Sequence, residues 1–394
     1  MNFKSVINLK TIGIVSFAIV LALTMFMTGQ GGMVYAVETV TSNSKASVLM
    51  EYGTGEVLAE YNSTEQLPIA SVTKLMTILL TMESIEKGDL SLDQIIITSE
   101  NASGMGGSQV FIDANAEYKV SNLLKAVIVA SANDASVALA EEIGGSEEGF
   151  VQMMNNRATE LGLENTNYVN CSGLPAPSQY SCAKDVAKVM RELIDYPLYF
   201  EYSRIWMEDF QHPSGRVTGM ANTNKLVKFY KGCDAGKTGS TSEAGYCLSA
   251  TAERNNMRLI SVVLGAETSK ERFADASAQF DWGFKNFESV RLVNATENLA
   301  DKVELQKAKN NNLVLVPEED FWSVTKRGDT TNLEVNIDLP SRLSAPLEAG
   351  DVVGKILLTE QGEVKKEINI IVAENVEQQG YFGTTKTILT RWYF

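Results

Sequence analysis

The chain has 394 residues, 44% hydrophobic and 21% charged, which excludes a disordered polymer and leaves room for about two domains. Its formal net charge of −15 shows no basic footprint for a nucleic acid. With one histidine, His212, a histidine-rich metal centre is excluded and a Ser-His-Asp triad would rest on a single imidazole before Pro213; a surface or hydrogen-bonded histidine is the plainer reading.

Lys4 and Lys10 precede an uncharged apolar run, Ile12 to Met27; Gly29 to Gly32 break it, and Val34-Tyr35-Ala36 sets small residues where a signal peptidase cuts. A secretory signal over residues 1–36 is expected. An uncleaved anchor is the alternative, because the run is long for a signal core. Loss of two lysines and no acid takes the remainder to −17. Either way the body of the protein is exported.

Ser47 to Tyr52 and Glu56 to Glu60, parted by Gly53-Thr54-Gly55, predict a hairpin. Pro68 then precedes Ala70-Ser71-Val72-Thr73-Lys74-Leu75-Met76-Thr77, and an apolar helical run to Ile85 ends before Gly88. Ser71 and Lys74, three apart, share one helix face, so a hydroxyl comes within reach of an amine that can activate it. The unpaired N–H groups of a helix start also suit a developing oxyanion. Five S-x-x-K matches occur, at Ser42/Lys45, Ser71/Lys74, Ser84/Lys87, Ser181/Lys184 and Ser323/Lys326, and any one alone reads as a solvated pair. What separates Ser71 is company downstream.

Gln94 to Thr98 predicts a short strand and Asn101 to Ser108 a glycine-rich loop. An apolar helix, Val120 to Ala130, ends at Ser131, and another, Asp134 to Ile143, begins after Asn133. Ser131-Ala132-Asn133, 60 positions past Ser71, is therefore a short break between apolar helices. Asn133 suits a helix cap as well as a catalytic amide. The other S-x-N, Ser99/Asn101, lies in the exposed-looking loop. Helices follow over Glu147 to Leu161 and Ala183 to Ile194, around a compact loop, Asn170 to Ser181.

Lys237-Thr238-Gly239, 106 positions past Ser131, is the only K-T-G in the chain. It opens an antiparallel meander with Gly245 to Ala252 and Arg258 to Leu264, closed by a helix from Ser269 to Phe287. A cleft between this sheet edge and the helices would gather the three motifs. Cys171, Cys182, Cys233 and Cys247 show no C-x-x-C spacing, so zinc is not expected; a Cys171–Cys182 clip and four free buried thiols both remain open. After Phe287, Val290 to Ala373 alternates apolar and polar residues between turns, predicting a small all-β domain over 289–375. In the tail, 376–394, Tyr381, Phe382, Ile388, Leu389, Trp392 and Tyr393 form one helical stripe. An interfacial membrane anchor and an ordinary terminal element are the two readings.

If the motifs converge, Ser71 Oγ attacks a carbonyl and a neutral Lys74 takes its proton. Burial beside Lys237 pushes Lys74 toward that neutral form. Ser131 relays a proton to the leaving amine, bridging the lysines, and Asn133 offers its amide to substrate or to Lys74. Lys237 and Thr238 suit a substrate carboxylate, and Gly239 lets substrate lie along the strand edge. The N–H groups of Ser71 and Ser240 would form the oxyanion hole.

Pro68 to Thr77, Ser131-Ala132-Asn133-Asp134-Ala135, and Gly236-Lys237-Thr238-Gly239 leading into Ala244-Gly245-Tyr246-Cys247-Leu248 together resemble the low-molecular-mass penicillin-binding proteins, serine-type D-alanyl-D-alanine carboxypeptidases. The resemblance implies an α+β fold. A transpeptidase- and β-lactamase-like domain, an antiparallel sheet flanked by helices over 37–288, is followed by the all-β domain. It implies removal of the terminal D-alanine from peptidoglycan stem pentapeptides, acylation by β-lactams, no cofactor, and work on the outer face of the cytoplasmic membrane. Arg272 matches, by place, an arginine that binds the substrate carboxylate in similar enzymes. Two alternatives stand beside it. A β-lactamase normally uses a glutamate in the loop before K-T-G, but residues 170–181 hold no acid. An idle cell-wall binding protein is disfavoured by the complete motifs.

Overall fold

The computed structural model describes residue 40 and residues 43–310, 312–329 and 331–380. The expected signal and the tail stripe from Tyr381 onward lie outside them. Among the described residues, no helix is long and apolar enough to cross a membrane.

Strand β1 (Ala46–Glu51) and β2 (Val57–Tyr61) form the predicted hairpin. Glu51 builds its turn, its carboxylate accepting the N–H of Gly53 at 2.9 Å and of Thr54 at 2.7 Å. A 3-10 turn, Ala70–Thr73, runs directly into α1 (Lys74–Glu86), which is buried from Lys74 to Ser84. The helical side then adds β3 (Ile95–Ile97), α2 (Glu100–Ser103), β4 (Glu117–Lys119), α3 (Val120–Val129), α4 (Asn133–Gly144), α5 (Glu147–Glu160), α6 (Ala183–Leu193) and α7 (Pro197–Ser203). Where a glycine-rich loop is expected, α2 forms because the Ser99 hydroxyl accepts the Ala102 N–H at 2.9 Å. A hairpin of β5 (Met207–Gln211) and β6 (Val217–Ala221) and a single turn, α8 (Leu226–Phe229), lead to the meander.

That meander is β7 (Cys233–Thr241), β8 (Gly245–Arg254) and β9 (Met257–Ala266), and the five-stranded sheet has the order β2-β1-β9-β8-β7. Period-two alternation divides its faces. Val48, Met50, Ile260, Val262 and Leu264 join the core beneath the helices. Leu49 and Leu259 face α9 (Ser269–Asn286), and a Cβ at Gly283 would come within 2.9 Å and 2.6 Å of them. Strand β7 is an edge of that sheet, the kind of position at which an extended peptide can add.

The β-rich unit follows as β10 (Phe287–Val293), β11 (Glu304–Gln306), β12 (Leu315–Pro317), β13 (Phe321–Lys326), β14 (Glu334–Asp338), β15 (Arg342–Ser344), β16 (Val352–Glu360) and β17 (Glu363–Val372). It has its own core, including Val293, Leu315, Ile356, Leu358, Ile370 and Val372. It runs past residue 375, because Val376 bridges to Leu347 and Gln378 to Ala308.

Candidate active site

Ser71 sits in the 3-10 turn, after Ala70 at φ +47°, a left-handed backbone that an L-residue adopts only when its surroundings impose it. Lys74, the first residue of α1, is 0% exposed. Its Nζ lies 3.0 Å from Ser71 Oγ, 2.6 Å from Asn133 Oδ1 and 2.5 Å from the Ser172 carbonyl. A neutral amine has two N–H donors and one lone pair. With two carbonyl oxygens taking those donors, the neutral form would turn its lone pair to the Ser71 hydroxyl. Burial lowers the pKa of Lys74 to about 7, against the opposing influence of Cys171 and Asp134.

Asn133 opens α4 but makes no side-chain bond to a helix N–H, so its amide is not a cap. Its Nδ2 donates to the Gly106 carbonyl at 2.6 Å, which turns Oδ1 toward Lys74. Ser131, at φ +60°, holds Oγ 2.6 Å from Lys237 Nζ, which also donates to the Thr238 carbonyl at 2.9 Å. Lys237 is buried and held well below the ordinary lysine range, first by burial and then by the charges of Lys74 and Arg272. Burial, one of the expected causes, is what depresses Lys74, with no contribution from Lys237, and Ser131 hydrogen-bonds Lys237 without the expected bridge to Lys74.

Thr238, Gly239 and Ser240 continue β7, paired with Leu248, Cys247 and Tyr246. Gly239 has a packing reason beyond substrate access. A Cβ there would meet the Ile69 carbonyl at 2.7 Å and the Ser71 nitrogen at 2.8 Å, so only glycine lets the strand approach the Ser71 turn. Arg272, on α9, is buried, and its Nη1 donates to the carbonyls of Gly239 at 3.0 Å and Cys247 at 3.2 Å. Its Nε, also buried, has no partner among the described residues.

The sequence reading missed the backbone acceptors. The Ser172 carbonyl is placed by Asn170, whose Oδ1 accepts the Ser172 N–H at 3.2 Å and the Gly173 N–H at 2.7 Å, and by Thr77, which donates to the Cys171 carbonyl at 2.7 Å. Only the Asn-Gly-Pro character of residues 170–181 hinted at so ordered a loop. Cys171, Cys182, Cys233 and Cys247 are all free, buried thiols. His212 is satisfied by Tyr118 Oη at 3.0 Å and Thr218 Oγ1 at 2.9 Å, on the β5–β6 hairpin, so it has no bond to Ser71. Among the described residues no cluster of His, Cys, Asp and Glu forms a metal centre.

A serine, two buried lysines and an asparagine thus converge from four segments. Residues 33–268 match the family model described as D-alanyl-D-alanine carboxypeptidase. The chain belongs to that family. Residues 287–378 match the model of the penicillin-binding protein 5 C-terminal domain. The chain is similar to D-alanyl-D-alanine carboxypeptidase DacF of Bacillus subtilis, 39% identical over 350 residues, covering 89% of this chain and 90% of that one. It is also similar to the crystal structure of penicillin-binding protein 5 from Haemophilus influenzae, at TM-score 0.67 and 32% identity, covering 85% and 98% of the two chains. A third likeness is to penicillin-binding protein D2 from Listeria monocytogenes in its ampicillin-bound form, at TM-score 0.56 and 32% identity, covering 62% and 98%. The resemblance carried by the motifs is borne out, as is the α+β architecture with its all-β second unit. The family is one of serine-type peptide hydrolases acting on the bacterial cell wall.

Proposed function

We propose that this chain removes the terminal D-alanine from peptidoglycan stem pentapeptides through an acyl-enzyme on Ser71, the oxygen that penicillins would also acylate. One observation carries the reading: Lys74 Nζ, buried, lies 3.0 Å from Ser71 Oγ while Asn133 and Ser172 take its other hydrogen bonds. Lys74 takes the proton as Oγ attacks the D-alanyl carbonyl carbon. The N–H groups of Ser71 and Ser240 stabilise the oxyanion. The leaving amine takes that proton from Lys74, with Ser131, hydrogen-bonded to Lys237, beside it. Lys237, Thr238 and Arg272 hold the departing carboxylate, and the Gly239–Ser240 edge pairs with the peptide. Water then hydrolyses the ester.

A penicillin-hydrolysing role is less supported. Residues 170–181 hold no carboxylate, and Glu160 before them is exposed and paired with Arg157 at 3.2 Å. The proposed location is extracytoplasmic, with the apolar residues from Tyr381 to Tyr393 attaching the chain to the outer face of the membrane. The test is mass spectrometry after benzylpenicillin, with D-alanine release from a pentapeptide followed in parallel. The adduct is expected on the Ser71 peptide and absent from Ser71→Ala; an adduct on another serine, or labelling of Ser71→Ala at the native rate, overturns the assignment.

A further inference from the structure

The loop from Asn170 to Ser181 holds no helix or ladder strand, so its backbone groups need other partners. Two side-chain amides supply them. Gln179 uses both ends of its amide. Its Oε1 accepts the N–H of Val169 at 2.9 Å and of Asn170 at 2.8 Å, and its Nε2 donates to Asn170 Oδ1 at 3.3 Å and to the Leu174 carbonyl at 3.2 Å. Asn170 Nδ2 donates to the same Leu174 carbonyl at 2.9 Å. Residues 169–174 are thus wrapped around the two amides, and backbone bonds between Asn167 and Tyr180, at 2.9 Å and 3.1 Å, close the loop behind them.

The wrapped segment is the part that meets the reacting groups. Asn170 Oδ1 accepts the N–H of Ser172 and of Gly173, and so pins two contacts at once. The Ser172 carbonyl takes a hydrogen bond from Lys74 Nζ. Gly173, at φ +80°, lies against the Ser71 turn, where a Cβ would fall 2.9 Å from the Ser71 nitrogen. The last torsion of an asparagine is soft, so the amide of Asn170 needs a reason to keep its oxygen toward those N–H groups. Gln179 gives it, presenting a donor to Oδ1 and sharing the Leu174 carbonyl with Nδ2. Gln179 makes no hydrogen bond to Ser71, Lys74, Ser131, Asn133 or Lys237.

We propose that Gln179 is a positioning residue for acylation: through Asn170 it fixes the Ser172 carbonyl against Lys74, which keeps the amine turned to Ser71 Oγ and water away from it. The proposal rests on the Ser71 reading, in which Lys74 takes the hydroxyl proton, and it adds no chemical step. Without Gln179 the Ser172 carbonyl is free to turn, and water replaces it beside the amine. The consequence has a sign. Burial is the largest influence on Lys74 and lowers it to about 7, opposed by Cys171 in the loop and Asp134 on α4. Lys237 on β7 faces the same amine, and Glu147 on α5 stands behind Cys171, accepting its N–H at 3.1 Å. The variant alters none of these charges; it admits water, which relieves the burial. Lys74 then holds its proton to higher pH, and the base is lost near neutrality but recovered in alkali.

The test is the pH profile of penicillin labelling of the full chain, native and Gln179→Ala. The variant is expected to have its midpoint about one pH unit above the native one, to label about tenfold more slowly well below that midpoint, and to come within about twofold of native well above it. Gln179→Glu keeps an acceptor for Val169 and Asn170 but offers no donor to Asn170 Oδ1 or the Leu174 carbonyl; it should show the same upward displacement, and decides the matter if Gln179→Ala does not fold. Asn170→Ala should also raise the midpoint, and Asn170→Ala with Gln179→Ala no further than Asn170→Ala alone, because one residue acts through the other. Asn167→Ala removes a bond to the Ser178 carbonyl, 2.7 Å long, without touching either amide, and should leave the midpoint in place. A native midpoint in folded Gln179→Ala, slowing by the same factor at every pH, or fully additive displacements in the double variant each overturn the positioning role. A native chain whose penicillin adduct lies on a serine other than Ser71 overturns the reading beneath it.

Discussion

An ammonium taken fully out of water needs a carboxylate to stay charged cheaply, and Lys74 forms no ion pair among the described residues. Its partners are a hydroxyl and two carbonyl oxygens, which suit a neutral amine. The sign of the pH dependence follows. As the proposed base, Lys74 works only when deprotonated, and the deprotonated fraction grows as pH rises through about 7. Acylation by penicillin is expected to climb with a midpoint near 7 and to fall roughly tenfold per pH unit well below it. Stopped-flow labelling from about pH 5 to about pH 9 checks this, and a flat profile would count against Lys74 as the base. Lys74→Ala should remain folded and acylate about 10²–10⁴ times more slowly. Asn133 belongs to the same argument, since Gly106 fixes which end of its amide faces the lysine.

Elements enter the site through contacts between backbones, where sequence patterns are least informative. β7 reaches the Ser71 turn only because Gly239 has no side chain; Gly173 does the same for the loop after Asn170, where a Cβ would fall 2.0 Å from the Ala70 carbonyl. Gly239→Ala must therefore separate strand from turn. We expect about 1–3 kcal/mol of destabilisation, a fall of roughly 2–4 °C in Tm per kcal/mol, and more than tenfold slower penicillin labelling. Native labelling in a folded Gly239→Ala protein would show that the spacing of β7 from Ser71 is not critical. The hairpin, the buried first helix and the meander were all legible, because period-two and period-3.6 patterns report which face is buried. The three motifs could be ranked by their order and separation. Illegible were the Ser172 and Gly106 carbonyls, since every residue carries a carbonyl and only the fold selects among them. The role of Asn133 was also open, as a cap and a catalytic amide place the same residue type between two helices.

At the scale of the whole molecule, the two hydrophobic cores are separate in sequence, and α9 passes into β10 without a linker. Where they join, Arg327 from the end of β13 reaches the C-terminal carbonyls of α9. Its Nη2 donates to Phe284 at 3.1 Å and Phe287 at 3.2 Å, and its Nε to Lys285 at 3.2 Å. A cation at that position satisfies acceptors the helix cannot bond internally and opposes the negative end of its dipole. The composition change at Phe287 made the second unit legible, but nothing in the pattern marked one arginine as the clamp. Two cores predict two calorimetric unfolding transitions, partly coupled through this contact. Arg327→Ala should weaken the coupling, separate the transitions, and open the 284–290 segment to limited proteolysis. It should leave penicillin labelling within about twofold of native, because among the described residues no group bonded to Ser71, Lys74, Ser131 or Lys237 comes from the β-rich unit. A large loss of labelling in a folded Arg327→Ala protein would mean that the β-rich unit sets the geometry of the cleft, rather than holding a self-sufficient catalytic domain.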